Sequence, residues 1–150
     1  MNTTTLEKLK ESLKMDEGIV ASVYLDSLGY KTFGIGHLIT KNDPENHLNV
    51  GAKVSVKRIE EVFEKDLMIT LKDCKTIYPE FDTYPDEVQL VLGNMCFNLG
   101  KNRLLKFIKM NNAVRKRDWK GMTREMKNSR WYKQVPNRAN RLINRIKNIG

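Results

Sequence analysis

The fold is decided at residues 16–37, which read DEGIVASVYLDSLGYKTFGIGH. Just before this stretch, leucines recur at spacings of three and four in residues 6–13, which predicts one apolar face of a helix. Gly18 can end that helix in a left-handed turn, because glycine takes positive φ without a steric penalty. Glu17 then lies on the last helical turn, where the helix dipole disfavours a carboxylate's charge, so we interpret it as a candidate general acid.

After this helix the pattern changes to that of a β-hairpin. Two runs rich in β-branched and aromatic residues, 20–25 and 30–35, flank a segment of turn composition that begins at Asp26. Thr32 lies on the returning strand, so we expect Asp26 and Thr32 to point into the space beside Glu17. Two carboxyl groups in unlike environments are what glycoside hydrolysis uses. On spacing alone, an ordinary turn, strand and helix end would contain the same residues.

Three blocks of sequence resemble the lysozymes of the T-even phages, glycoside hydrolase family 24. The blocks are Asp16-Glu17-Gly18 with Tyr24-Leu25-Asp26, Gly29-Tyr30, Thr32 and Gly34-Ile35-Gly36-His37-Leu38; then Asn94-Met95-Cys96-Phe97-Asn98-Leu99-Gly100; then Ser129-Arg130-Trp131-Tyr132-Lys133-Gln134-Val135-Pro136-Asn137-Arg138-Ala139. They occur in family order, and with the helical spacings between them they account for nearly the whole chain.

The resemblance implies an α+β fold in one domain, 1–150. A small N-terminal β-hairpin lobe would occupy 16–58, and a mainly helical C-terminal lobe would combine 1–15 with 72–150. A long helix over 56–75 would join the two lobes. Ser55 is suited to cap that helix. We also expect a short third strand near residues 53–55.

The resemblance also assigns roles to residues. It implies that Glu17 protonates the leaving glycosidic oxygen, while Asp26 and Thr32 hold and activate the attacking water with inversion at the anomeric carbon. The substrate would be the β-1,4 bond between N-acetylmuramic acid and N-acetylglucosamine in bacterial peptidoglycan, with no metal and no cofactor. The implied substrate-binding residues are Leu38, Phe97, Asn98 and Arg138. Met110 and Glu125 stand where some relatives have small polar residues.

Several residues of types that are often catalytic are better explained here by structural roles. His37 follows the hairpin glycines, yet we expect it to bond a carboxylate such as Asp66 and to tie the hairpin to the long helix. Trp131 is expected to pack rather than to bind substrate. The two cysteines, Cys74 and Cys96, lie in apolar helical contexts and are expected to be buried free thiols.

Charge is divided unevenly along the chain. Residues 101–150 hold 16 of the 27 Lys and Arg and 2 of the 18 Asp and Glu, so they carry +14, whereas residues 1–100 carry −5. A basic face favours a polyanionic partner. Nucleic acid and the bacterial wall both fit that description, and with the resemblance we expect peptidoglycan and no nucleic acid.

The N-terminal residues have no hydrophobic signal core, and no apolar run reaches membrane-span length, so we expect synthesis in the host cytoplasm and no stable membrane association. We therefore expect a monomer that a holin releases to the cell wall. Four other functions stay open. They are a wall-degrading lysozyme of a phage tail device, a lytic transglycosylase, a lysozyme fold that only binds wall fragments, and a basic nucleic-acid-binding domain.

Overall fold

The computed structural model describes residues 1–149. The chain divides into two compact units, which are described in turn. The hairpin unit comprises Lys10–Ile69, and the helical unit comprises Met1–Leu9 with Thr70–Gly150. The divisions fall inside two helices, so each of these helices contributes residues to both units.

Within residues 1–149 the structure has eight α-helices, three β-strands and two short 3-10 helices. The helices are α1 (Thr3–Glu17), α2 (Val56–Ile77), α3 (Asp86–Leu99), α4 (Lys101–Leu105), α5 (Ile108–Arg115), α6 (Trp119–Lys127), α7 (Arg130–Gln134) and α8 (Pro136–Lys147). The strands are β1 (Val20–Leu25), β2 (Lys31–Gly34) and β3 (His37–Leu38), and the 3-10 helices are Pro44–His47 and Phe81–Thr83. The predicted α+β class is confirmed. No helix of the described chain is both long enough and apolar enough to cross a bilayer.

The three strands form one antiparallel sheet in the order β1-β2-β3. Residues 53–55 form no strand, contrary to our prediction, but the segment does pair with β1: Lys53 bridges to Ser22, and the Val54 amide donates to the Ala21 carbonyl at 3.0 Å. The turn at Gly51 and the start of α2 leave too few extended residues there for a strand. Positive φ angles at Gly34 and Gly36 turn the chain back at once, so the third strand follows β2 directly.

The long helix begins where the sequence predicts. The Arg58 amide donates to Ser55 Oγ at 3.2 Å, which caps α2, and the helix continues to residue 77 rather than 75. In the hairpin unit, the apolar face of α2 is buried together with side chains of the sheet and of α1. These buried residues are Leu13, Val23, Phe33, Ile35, Ile59, Val62, Phe63 and Leu67.

The core of the helical unit is built around α3, which is buried along most of its length. Its buried apolar residues are Val88, Leu90, Val91, Leu92, Met95, Cys96 and Leu99. Cys74 and Cys96 are buried free thiols, as predicted. The Cys96 thiol and burial raise the pKa of Cys74 well above its ordinary value, so Cys74 stays protonated.

Candidate active site

Glu17 is the last residue of α1, and its side chain lies against the turn that follows β2. The helix ends there because Gly18 has φ +74°. Gly36 lies so close to the Glu17 carboxylate that a Cβ at position 36 would come within 2.7 Å of Oε1. The absence of a side chain at Gly36 therefore gives the half-buried carboxylate of Glu17 its place.

Asp26 begins the hairpin turn and is fixed by it. Its Oδ1 accepts hydrogen bonds from the amides of Leu28 and Tyr30, each at 2.9 Å. These short-range bonds are the reason that aspartate suits the first position of a turn. Among residues 1–149, no protein group hydrogen-bonds Oδ2. The turn thus fixes the carboxylate through Oδ1 and leaves Oδ2 to accept hydrogen bonds from water or substrate.

Thr32 lies on β2 and belongs to a row of residues across the sheet. It pairs with Tyr24 of β1 on one side and with Leu38 of β3 on the other, so the three side chains share one face. Thr32 is 3% exposed, and its hydroxyl donates to the Tyr30 carbonyl at 3.0 Å. That bond orients the hydroxyl oxygen as an acceptor. The sheet therefore brings the side chains of Thr32 and Leu38 together on that face.

Tyr24 is a residue of this site that the sequence analysis did not single out. Burial, then the charge of Glu17, then the charge of Asp26 raise the pKa of the Tyr24 phenol. The charges of Glu17 and Asp26 therefore both act on the phenol of Tyr24, which lies on β1. The sequence held part of this signal, because Asp26 follows β1 directly and lies two positions after Tyr24, the spacing at which side chains of an extended chain share one face.

These groups can perform acid–base chemistry on a bound molecule. Glu17 can supply a proton, and Asp26 with the Thr32 hydroxyl can accept hydrogen bonds from water. Within the described part of the chain, no group of three His, Cys, Asp or Glu side chains is arranged to hold a metal ion.

His37 has a structural position, as the sequence analysis predicted. Its Nδ1 lies 2.6 Å from Asp66 Oδ2, and its Nε2 lies 2.9 Å from Asp43 Oδ2. The bond to Asp66 of α2 was predicted, and the bond to Asp43 was not. Burial lowers the pKa of His37, but its hydrogen bonds to the two carboxylates outweigh that effect, so the pKa is raised above its ordinary value.

Arg58 extends this network along α2. Its guanidinium donates to both oxygens of Glu45, at 2.8 and 3.0 Å, and lies 3.5 Å from Asp43. The pKa of Glu45 is lowered chiefly by the bond from Arg58. Although burial tends to raise the pKa of Asp43, hydrogen bonds from Thr40 and His37 lower it. The loop before α2 is thus held to this helix by charged contacts.

The other three predicted site residues lie in the helical unit. Phe97 and Asn98 are half-buried on α3, and Arg138 is buried on α8. Arg138 Nε donates to Asn94 Oδ1 at 2.9 Å. One turn further along α3, Asn98 Oδ1 accepts from Trp131 Nε1 at 2.8 Å. Trp131 is buried, as predicted, but its bond to Asn98 was not foreseen.

Comparisons with known proteins match nearly the whole chain. Residues 14–148 match the model of the phage lysozyme family. The chain is 34% identical to probable T4-type lysozyme 1 of Dictyostelium discoideum, with 94% of each protein covered. It is 29% identical to the pre-baseplate central spike protein Gp5 of Enterobacteria phage T4, covering 89% of this chain and 26% of that protein. It is also 25% identical to the peptidoglycan hydrolase gp36 of Pseudomonas phage phiKMV, covering 91% of this chain and 15% of that protein.

Proposed function

Since this chain belongs to the phage lysozyme family, we propose that it is a peptidoglycan hydrolase that breaks glycosidic bonds of the bacterial wall. The observation that supports the proposal is that two carboxylates, Glu17 and Asp26, are held by different elements of the hairpin unit. The Glu17 carboxylate lies against Gly36, and the Asp26 carboxylate is anchored by the hairpin turn. A pair of carboxyl groups that flank the scissile bond is the usual catalytic apparatus of glycoside hydrolysis.

We propose that Glu17 acts as the general acid. Its protonated carboxyl donates to the glycosidic oxygen while the bond to the anomeric carbon breaks, so the leaving sugar departs as a neutral alcohol. The oxocarbenium-like centre that forms is attacked by water. Asp26 accepts a proton from that water, and the Thr32 hydroxyl oxygen accepts a hydrogen bond that orients it.

The bond broken is the β-1,4 link between N-acetylmuramic acid and N-acetylglucosamine, and the reaction inverts the anomeric carbon. An inverting enzyme keeps its two carboxyl groups about 6.5 to 9.5 Å apart to admit the water, whereas a retaining enzyme holds them at about 5 Å. Leu38, which shares the sheet face of Thr32, would contact the sugar beside the acid. Phe97, Asn98 and Arg138 would contact substrate from the helical unit.

The decisive experiment compares the wild type with Glu17→Gln on purified peptidoglycan. We expect the wild type to clear the suspension and to release sugars with reducing muramic acid ends, identified by mass spectrometry. The variant should lose about 10³-fold in rate, since the amide cannot donate the proton that the carboxyl supplies. Proton NMR of the first product should show the α-anomer, because inversion of a β-linkage yields it.

Other products would lead to other conclusions. Anhydromuramic ends would indicate a lytic transglycosylase, in which the muramic acid hydroxyl replaces water as the attacking group. A first product with the β-anomer would contradict inversion. Equal clearing by both proteins would remove Glu17 from its proposed role, and Glu11→Gln, on the exposed face of the same helix, is the matched control.

For the biological role, we propose lysis of a bacterial host by a phage, with the enzyme reaching the wall through a holin. The similarity to Gp5 supports a second role as the wall-degrading lysozyme of a tail device. Expression in a bacterial host separates these roles, because a holin-dependent enzyme lyses cells only when a holin is co-expressed. Recovery of the protein in purified phage tails would favour the second role.

A further inference from the structure

A cavity of about 540 Å³ lies within the helical unit, among α4, α5, α6 and α7. Its apolar lining is formed by Leu99, Phe107, Ile108, Met110 and Trp131. Met110 is 1% exposed and Trp131 is 3% exposed, so their side chains form a packed floor rather than loose surface groups. A cavity with such a floor favours a ligand that brings apolar groups of its own.

The rim of this cavity is strongly basic. Arg103, Lys106, Lys109 and Arg130 all line it, and all four are exposed. Among residues 1–149, none of the four makes an ion pair with a carboxylate. The acidic lining residue is Glu125, whose carboxylate lies 3.5 Å from Arg124. Four cations without protein counter-charges around one cavity create a positive potential that attracts an anionic ligand.

The cavity is connected to a residue of the proposed substrate site. Trp131 lines the cavity and donates through its indole N–H to Asn98. Leu99, the next residue of α3, also lines it. If Asn98 contacts the glycan, groups attached to that glycan can reach the cavity. Wall peptides have the required chemistry, because they combine alanine methyl groups with carboxylates.

We propose that this cavity makes the enzyme select wall peptides with free carboxylates over the same peptides with amidated carboxylates. This inference rests on the proposed function, since it takes peptidoglycan as the substrate. Amidation leaves the size and shape of the peptide nearly unchanged and removes one negative charge. The four rim cations therefore discriminate between the two forms, whereas the apolar floor accepts both.

A binding experiment tests this without any glycosidic cleavage. The probes are N-acetylmuramyl-L-alanyl-D-isoglutamine and its D-glutamate form, which differ in one amide against one carboxylate. In calorimetric titrations at an ionic strength of about 10 mM, where screening is weak, we expect the D-glutamate form to bind about three- to tenfold more tightly, the effect of one or two exposed charge contacts. The preference should shrink as salt is added.

Two triple variants with the same net charge locate the effect. Arg103→Gln with Lys106→Gln and Lys109→Gln removes three rim cations. Lys116→Gln with Lys120→Gln and Lys127→Gln removes three exposed cations that do not line the cavity. We expect the rim variant to bind both probes equally and the control variant to keep the preference. Equal loss in both variants would mean that net charge alone attracts the peptide, which would overturn the inference.

Failure of this inference can be told apart from failure of the proposed function. Hydrolysis of amidated and non-amidated walls at equal kcat/KM, with equal binding of the two probes, would overturn the inference and leave the hydrolase intact. A preference in binding without hydrolysis of either wall would retain the cavity's selectivity and reject the hydrolase. If neither probe binds, the cavity is not a peptide site.

Discussion

The two units of this chain hold their side chains by different physical means. The hairpin unit has 8 Lys and Arg against 10 Asp and Glu, and its candidate residues are placed by turns, glycines and charged pairs. The helical unit has 19 Lys and Arg against 8 Asp and Glu, and its side chains are held by apolar burial around α3. In this chain, polar contacts at the edge of a small sheet position the side chains that are available for reaction. The larger apolar core supplies stability.

This comparison predicts that changes in the hairpin unit affect rate more than stability. Asp26→Asn tests it most strongly. Asparagine keeps an oxygen to accept from the amides of Leu28 and Tyr30, so the turn should persist, but it cannot take a proton from water. We expect the rate of wall hydrolysis to fall about 10² to 10³-fold, with thermal unfolding shifted by only a few degrees.

The matched control for Asp26→Asn is Asp118→Asn. Asp118 caps α6 in the helical unit by accepting from the Gly121 amide at 2.9 Å, so it too accepts from a backbone amide but has no place in the candidate site. If both variants lose activity in proportion to their stability, the proposed base role of Asp26 is rejected.

Gly36→Ala should produce the next largest effect. A methyl group at position 36 would come within 2.7 Å of Glu17 Oε1 and would displace the carboxylate from its position. We expect the rate to fall about 10²-fold, the scale of a misplaced catalytic group. Assays on soluble wall fragments give kcat and KM separately, and the loss should appear in kcat.

Gly51→Ala separates the contact from the backbone strain. Gly51 also has positive φ, +94°, but a Cβ there meets nothing within 4 Å. Both alanine variants pay for an unfavourable backbone conformation, about 1 to 2 kcal/mol, and only Gly36→Ala should lose rate. Equal rates in the two variants would show that the position of Glu17 does not depend on Gly36.

The helical unit should behave in the opposite way, and Asn111→Leu tests this. Asn111 is 1% exposed, accepts from the Tyr78 hydroxyl and donates to the Leu104 carbonyl at 2.9 Å. Leucine would leave both partners buried without a hydrogen bond, which costs about 2 to 4 kcal/mol. Urea unfolding measures that loss.

We expect kcat per folded molecule to stay within about twofold for Asn111→Leu, since this network touches no residue of the candidate site. Tyr78→Phe, which removes the partner hydroxyl, should be the milder change because it leaves a single group unpaired. A large loss of kcat in folded Asn111→Leu would contradict our inference that the hairpin unit determines the rate and the helical unit the stability.

The sequence was sufficient wherever a feature depends on neighbouring residues. The end of α1 at Gly18, the turn at Asp26 and the cap at Ser55 each involve contacts over a few positions, so composition and spacing predict them. The pair of His37 with Asp66 spans 29 residues, and it was predicted because the hairpin and the long helix were both recognised.

What the sequence did not reveal depends on contacts that no local pattern encodes. Asp43 lies in a polar loop, where an aspartate is ordinary, and its bond to His37 appears only when the loop folds back. Tyr24 resembles any strand tyrosine until both carboxylates are placed near it. The third strand was misplaced because the two glycine turns shorten the path to β3 more than composition indicates.

The charged network around His37 gives the smallest expected effect and links the comparison to pH. Because the pKa of His37 is raised, its contribution to stability is present below its ordinary value of about 6.5 and is lost as pH rises through the folded-state pKa. Because the pKa values of Asp43 and Glu45 are lowered, their contributions are present above about pH 4 and are lost as pH falls. Stability should therefore be greatest between about pH 5 and 6.5.

Asp66→Asn should remove part of this stability and leave the rate nearly intact. At pH 5.5 we expect a loss of about 1 to 3 kcal/mol, the scale of a hydrogen bond to a charged group, and a much smaller loss at pH 9, where His37 is neutral in both proteins. Urea unfolding at the two pH values measures the difference. His47→Gln, at the exposed second histidine, is the matched control. A large loss of rate in folded Asp66→Asn would show that the charged network around His37 is needed for the reaction. Within the hairpin unit, the residues that stabilise the fold could then not be separated from the residues that react.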